Sequence, residues 1–173
     1  MRVLMVPAFV AAFLFSGVSP WIPLVLFVAA GITDILDGEI ARRQNIVTDF
    51  GKLMDPLADK IMVTAVLICF SSVGYVHPAV TILIISRELF VTGFRTLATI
   101  KGKVIAADFW GKLKTVFQDI TIILILLWRT LDGVLAEYVW TISYWFIWIM
   151  AALTVISGVN YCVKNCSIFV NEK

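Results

Sequence analysis

Six apolar runs, at about 3 to 18, 21 to 43, 50 to 73, 78 to 100, 109 to 129 and 134 to 163, leave this chain little choice of fold. Each is close to the roughly 20 residues that a helix needs to cross the hydrocarbon core of a bilayer. Lipid offers no partners to backbone N–H and C=O groups, so a spanning segment satisfies them internally, as a helix does. Hydrophobic residues make up 61% of the sequence and the mean hydropathy is +0.96, against about 45–50% apolar residues in a soluble domain. The expected fold is an all-α integral membrane bundle of six transmembrane helices, a single domain over residues 1–173 with no room for a second folded unit.

Six spans put both termini on one side, and the cations say which. With the N-terminus cytoplasmic, that side holds Arg2, Arg42, Arg43, Lys52, Lys101, Lys103, Lys112, Lys114, Lys164 and Lys173, while the opposite loops hold at most Arg129 at their edge. Cytoplasmic loops are the ones enriched in Lys and Arg. Lys60, Arg87 and Arg95 fall inside spans and are expected to line a polar cavity or to snorkel. The net charge of +2 is uninformative about nucleic acid, because the cations are scattered among apolar runs and form no continuous basic stripe, and no nucleic-acid partner is expected. Met1-Arg2 and the apolar run to Phe15 resemble a signal peptide in outline, but one charge and a poor cleavage site favour a retained span. Trp21, Trp110, Trp128 and Trp140 lie near span ends, where indoles suit the headgroup zone, and Trp145 and Trp148 lie deeper, against protein or lipid.

Cys69, Cys162 and Cys166 are odd in number and suggest neither a disulfide framework nor a metal site, and His77, the only histidine, is expected to be a loop residue beside Pro78.

Acidic residues concentrate between Asp34 and Asp59, in DILDGEIARRQNIVTDFGKLMDPLAD. Asp34 and Asp37 are three apart and Asp55 and Asp59 four apart, so each pair shares a helix face. A turn near Asn45 makes the second and third spans antiparallel neighbours, bringing the end of one pair's helix to the start of the other's. Four carboxylates so placed need a compensating cation. Hard oxygen donors select Mg²⁺ or Mn²⁺, and four acids can hold two ions; without His or Cys in the stretch, zinc is a poor fit. The alternative, acids of a cytoplasmic loop paired with Arg42, Arg43, Lys52 and Lys60, suits Asp49 better than the other four.

The pattern Asp34-x2-Asp37-Gly38-x2-Ala41-Arg42-x8-Gly51-x3-Asp55-x3-Asp59 resembles, position for position, the signature of the CDP-alcohol phosphotransferase family. The resemblance implies six transmembrane helices, a homodimer, a divalent-metal site at the cytoplasmic face of the cell membrane, and displacement of CMP from a CDP-linked donor by a hydroxyl. It implies Asp34, Asp37 and Asp55 as the main metal ligands, and Asp59 as general base and possible ligand of a second ion. Gly38, Ala41, Arg42 and Gly51 correspond to the pocket for the cytidine diphosphate.

A second group of charged residues lies further on. Arg87 and Arg95, about two helical turns apart, and Lys112 and Lys114 could converge on a phosphorylated acceptor. Alternatively, Arg87 pairs with Glu88 or Asp119 and the lysines meet anionic lipid headgroups. Ser86-Arg87-Glu88-Leu89-x3-Gly93-Phe94-Arg95 and Gly111-Lys112-x-Lys114-Thr115 resemble the phosphatidylglycerophosphate synthase branch of the family, and the likeness runs from Arg2 to about Lys164. That branch implies CDP-diacylglycerol as donor, sn-glycerol 3-phosphate as acceptor, a membrane-lipid environment and a bacterial cell. Branch members carry an Asn-Pro-Asn amphipathic segment just before the residue matching Arg2, and this sequence opens without it, through a shortened start or a member that dispenses with it. The rival readings are a family member with a cardiolipin-type or inositol-phosphate-type acceptor and a small cation transporter, though no inverted repeat supports the latter.

Overall fold

The computed structural model describes the backbone of residues 2–15, 17, 19–44, 49–100 and 109–165, and the side chains of residues 4–15, 17, 19–33, 60–96, 98 and 109–164. All the regular structure among them is helical: α1 (Arg2–Leu14), α2 (Trp21–Gln44), α3 (Asp49–Ser72), α4 (Pro78–Ile100), α5 (Phe109–Trp128) and α6 (Gly133–Asn165). The apolar runs foretold five of these to within one or two residues at each end. The exception is α1, which stops at Leu14 rather than near residue 18.

The chain divides into two compact units, one of Met1–Tyr75 with Ile122–Trp140 and the other of Val76–Thr121 with Thr141–Lys173. In the first, α1 packs against both α2 and α3. Phe9, Phe13, Val66, Phe70, Ile122 and Leu126 are buried there. Phe13 meets Phe70 at 5.6 Å between ring centres, and Tyr75, Trp128 and Trp140 form a cluster in which the two indoles lie 4.4 Å apart. Trp128 and Trp140, expected at span ends, thus also pack on one another.

The α3 terminus is closed by its own main chain. Tyr75 N–H reaches Phe70 O at 2.9 Å and Gly74 N–H reaches Ser71 O at 3.2 Å, the paired bonds of a Schellman cap. Gly74 sits at φ +79°, which a side chain would strain.

In the second unit His77 begins α4. Its carbonyl accepts from Val80 and Thr81 N–H, and its Nδ1 accepts from Ala79 N–H at 3.2 Å. Pro78 follows at the first helical position, where a missing donor does no harm. The lone histidine therefore caps a helix. Further along, buried hydroxyls bond back to their own helices: Thr121 to Phe117 O, Thr154 to Met150 O and Ser157 to Thr154 O. Satisfied in this way, they pack as small residues between helices.

Gly133–Lys164 is long and apolar enough to cross a membrane, and Leu4–Leu14, Trp21–Thr33 and Lys60–Ser72 are shorter apolar helices among the described residues. On α6, Tyr144, Trp145, Trp148, Val155, Val159 and Val163 are exposed. Such a surface suits lipid better than water.

Candidate functional site

The acidic stretch is helical on both sides of its connection. Asp34 and Asp37 lie in the C-terminal half of α2, and Asp55 and Asp59 in the N-terminal half of α3. The i,i+3 and i,i+4 spacings are thus realised on real helices, both packed on α1. Thr33, immediately before Asp34, donates to Ala29 O and Ala30 O at 2.9 and 3.0 Å, so its hydroxyl is satisfied within α2. The side chains of Asp34, Asp37, Gly38, Ala41, Arg42, Gly51, Asp55 and Asp59 lie outside the described residues. The chemistry of the donor set nonetheless fits a hard divalent cation: four carboxylates on two successive helices, with no thiolate or imidazole among them.

The cationic residues lie in the second unit, and there the side chains are described. Arg87 Nη1 donates to Glu88 Oε1 at 3.1 Å, and Lys114 Nζ reaches the same oxygen. Lys114 is 0% exposed, whereas Lys112, two residues earlier and so on another face of α5, is exposed. Sequence alone put the two lysines on an equal footing; burial separates them.

Two glycines border Arg87. A Cβ added at Gly158 would lie 3.4 Å from Arg87 Cγ, and one at Gly111 would lie 3.8 Å from Nη2. The aliphatic stem of Arg87 therefore runs across α6 where α6 has no side chain. Arg95 and Arg87 both lie within electrostatic reach of Tyr161, which is buried and meets Phe94 edge-on at 5.5 Å. The expected two-turn alignment of the arginines is thus realised around one phenol. Tyr161 went unnoticed in the sequence, because an aromatic residue in a long apolar run carries no local signal of a polar neighbour. Glu88 was visible only as one possible partner of Arg87, and its bridge to α5 depends on tertiary packing.

The chain is thus all-helical among its described residues and strongly apolar, with paired aspartates on two successive helices. The family model for CDP-alcohol phosphatidyltransferase matches residues 1–156, and the chain belongs to that family. It is 40% identical over 141 residues to the CDP-diacylglycerol–glycerol-3-phosphate 3-phosphatidyltransferase of Bacillus subtilis, covering 82% of this chain and 72% of that protein. The protein of the same name from Rickettsia felis is 32% identical over 95% of this chain and 90% of its own length. A third, from Mycoplasma pneumoniae, is 46% identical over 62% of this chain, and the match spans about half, 47%, of its length.

Proposed function

We propose that this protein transfers a phosphatidyl group from CDP-diacylglycerol to sn-glycerol 3-phosphate with release of CMP, a step of phospholipid biosynthesis leading toward phosphatidylglycerol. The observation that carries the reading is the eight-residue pattern from Asp34 to Asp59, seated on α2 and α3 of a chain in this family. The bacterial relatives named for this reaction support the choice of substrates.

In the reaction the acceptor's hydroxyl oxygen bonds to the phosphorus of the phosphatidyl group, and the P–O bond to CMP breaks. Asp34, Asp37 and Asp55 would hold Mg²⁺ or Mn²⁺, with Asp59 completing a site for two ions. Ions held there would supply positive charge to the diphosphate and to the leaving group. Asp59 positions the attacking hydroxyl and takes its proton on a carboxylate oxygen; beside a cation its basicity is low, so its effect comes chiefly from position. Gly38, Ala41 and Gly51 leave room for the nucleotide, and Arg42 meets its phosphates. Arg87 and Arg95 meet the acceptor's phosphate, since a guanidinium fork matches phosphate oxygens, with Lys112 and Lys114 adding to the positive field.

All six helices would span the membrane, the whole of residues 1–173 acting as one domain with both termini and the active site on the cytoplasmic side. The distribution of Lys and Arg supports this orientation. The protein would work as a homodimer in a bacterial cell membrane.

The test is CMP release from CDP-diacylglycerol in detergent or proteoliposomes, with a panel of alcohols and with and without Mg²⁺. Glycerol 3-phosphate is expected to be the preferred acceptor. Turnover with another alcohol and none with glycerol 3-phosphate would move the protein to a different branch of the family.

A further inference from the structure

A carboxylate in the cationic cluster has a role that the reaction alone does not require. Burying an ammonium group is costly unless an opposite charge is taken in with it. Lys114, fully buried on α5, meets that requirement at Glu88 on α4. The same oxygen, Glu88 Oε1, also receives Arg87 Nη1 at 3.1 Å. One acidic group thus ties an arginine to a lysine 27 positions further along the chain, on another helix.

The hold leaves part of Arg87 uncommitted. Its Nη1 is taken by Glu88, while Nε–H is buried and has no hydrogen-bond partner among the described residues. Nε is one of the two donors with which a guanidinium grips a phosphate side-on. Gly158 lets the stem lie against α6, and Gly111 places no side chain of its own beside Nη2. The three groups joined by these two ion pairs carry two positive charges and one negative.

We propose that Glu88 is a positioning residue of the acceptor site: by holding Arg87 and Lys114 at once, it fixes the Arg87 guanidinium for the acceptor's phosphate. The proposal rests on the assignment of Arg87 to the acceptor given above. Lys114 then serves as the buried anchor of Glu88 and Arg87 as the group that touches substrate.

Removing Glu88 alone would take a charged partner from a buried ammonium group and threaten folding, so the informative variant is the double one, Glu88→Gln with Lys114→Met. It removes one charge of each sign, so these two changes cancel in net charge, and it reduces the ionic hold on Arg87 to at most a neutral hydrogen bond. With folding checked by size-exclusion profile in detergent, the KM for glycerol 3-phosphate is expected to rise about tenfold. The KM for CDP-diacylglycerol should stay within about twofold of the parent value. Glu88→Asp keeps Lys114 paired but is one methylene too short to serve both partners, and should raise the acceptor KM to an intermediate degree. An unchanged acceptor KM in the folded double variant would overturn the proposal; should that variant not fold, an unchanged value in Glu88→Asp would do so. Failure of the parent enzyme to use glycerol 3-phosphate would instead count against the substrate assignment, and is read before any variant is made.

Discussion

Arg129 binds Phe13 twice, donating from Nη2 to its carbonyl oxygen at 2.9 Å and stacking its guanidinium carbon 4.3 Å from the centre of its ring. Phe13 is the penultimate residue of α1, where carbonyls lose their helical partners. A cation at that end also complements the helix dipole. Arg129, expected from the charge distribution at the edge of an outer loop, thus caps a helix. Arg129→Ala is expected to cost about 1.5–3 kcal/mol, the usual worth of a hydrogen bond from a charged group. A lowered thermal midpoint in detergent, with turnover per folded molecule near the parent value, is the outcome to look for.

Asp59→Asn keeps the shape of the side chain and removes its basicity. Turnover should fall about 10²- to 10⁴-fold, the usual contribution of a general base. The elution profile and helical content should be unchanged, since α3 continues through this position. Full activity in this variant would remove Asp59 from its assigned role.

Chelation gives an independent check on the acidic set. EDTA should abolish CMP release, and Mg²⁺ or Mn²⁺ should restore it, because four carboxylates offer only hard donors. Asp34→Asn or Asp55→Asn should raise the metal concentration needed for half-maximal activity. Zn²⁺ restoring activity better than Mg²⁺ would contradict the assignment.

Gly158 tests the seat of Arg87 from the opposite helix. A single added carbon at 3.4 Å from Arg87 Cγ is an ordinary contact, so Gly158→Ala should be tolerated. The branched side chain of Gly158→Val must displace the arginine stem, and the KM for glycerol 3-phosphate should then rise severalfold, more than the KM for the donor. Equal effects on both substrates would indicate general misfolding of the helix pair.

The turn after α3 can be probed at Gly74. Its φ of +79° is strained for any residue with a Cβ, so Gly74→Ala should lower stability by about 1–2 kcal/mol. The open space around the position excludes a steric clash as the cause. A denaturation midpoint unchanged from the parent would show that the Schellman cap adapts.

How far the sequence revealed the molecule differs between its parts. Helix positions were legible because lipid-scale apolar runs punctuated by Gly, Pro and charges admit little else. The end of α1 was placed too late, and the contact found there, Arg129 on Phe13 O, joins residues more than a hundred positions apart that the sequence does not relate. The acidic motif was legible from spacing alone, since i,i+3 and i,i+4 pairs state their shared face without any tertiary information. The cationic set was only half legible. Two-turn spacing related Arg87 to Arg95, but the contrast between buried Lys114 and exposed Lys112 depends on how α4 and α5 pack.

The Trp128–Trp140 pair gives the protein an internal optical reporter. Indoles with centres 4.4 Å apart couple their electronic transitions, which produces a paired band in circular dichroism that isolated tryptophans lack. Trp145 and Trp148 are exposed and belong to the other compact unit. The coupled band therefore follows the unit that carries the aspartate helices, and its loss on heating marks the temperature at which that unit comes apart, whether or not the rest of the chain remains helical.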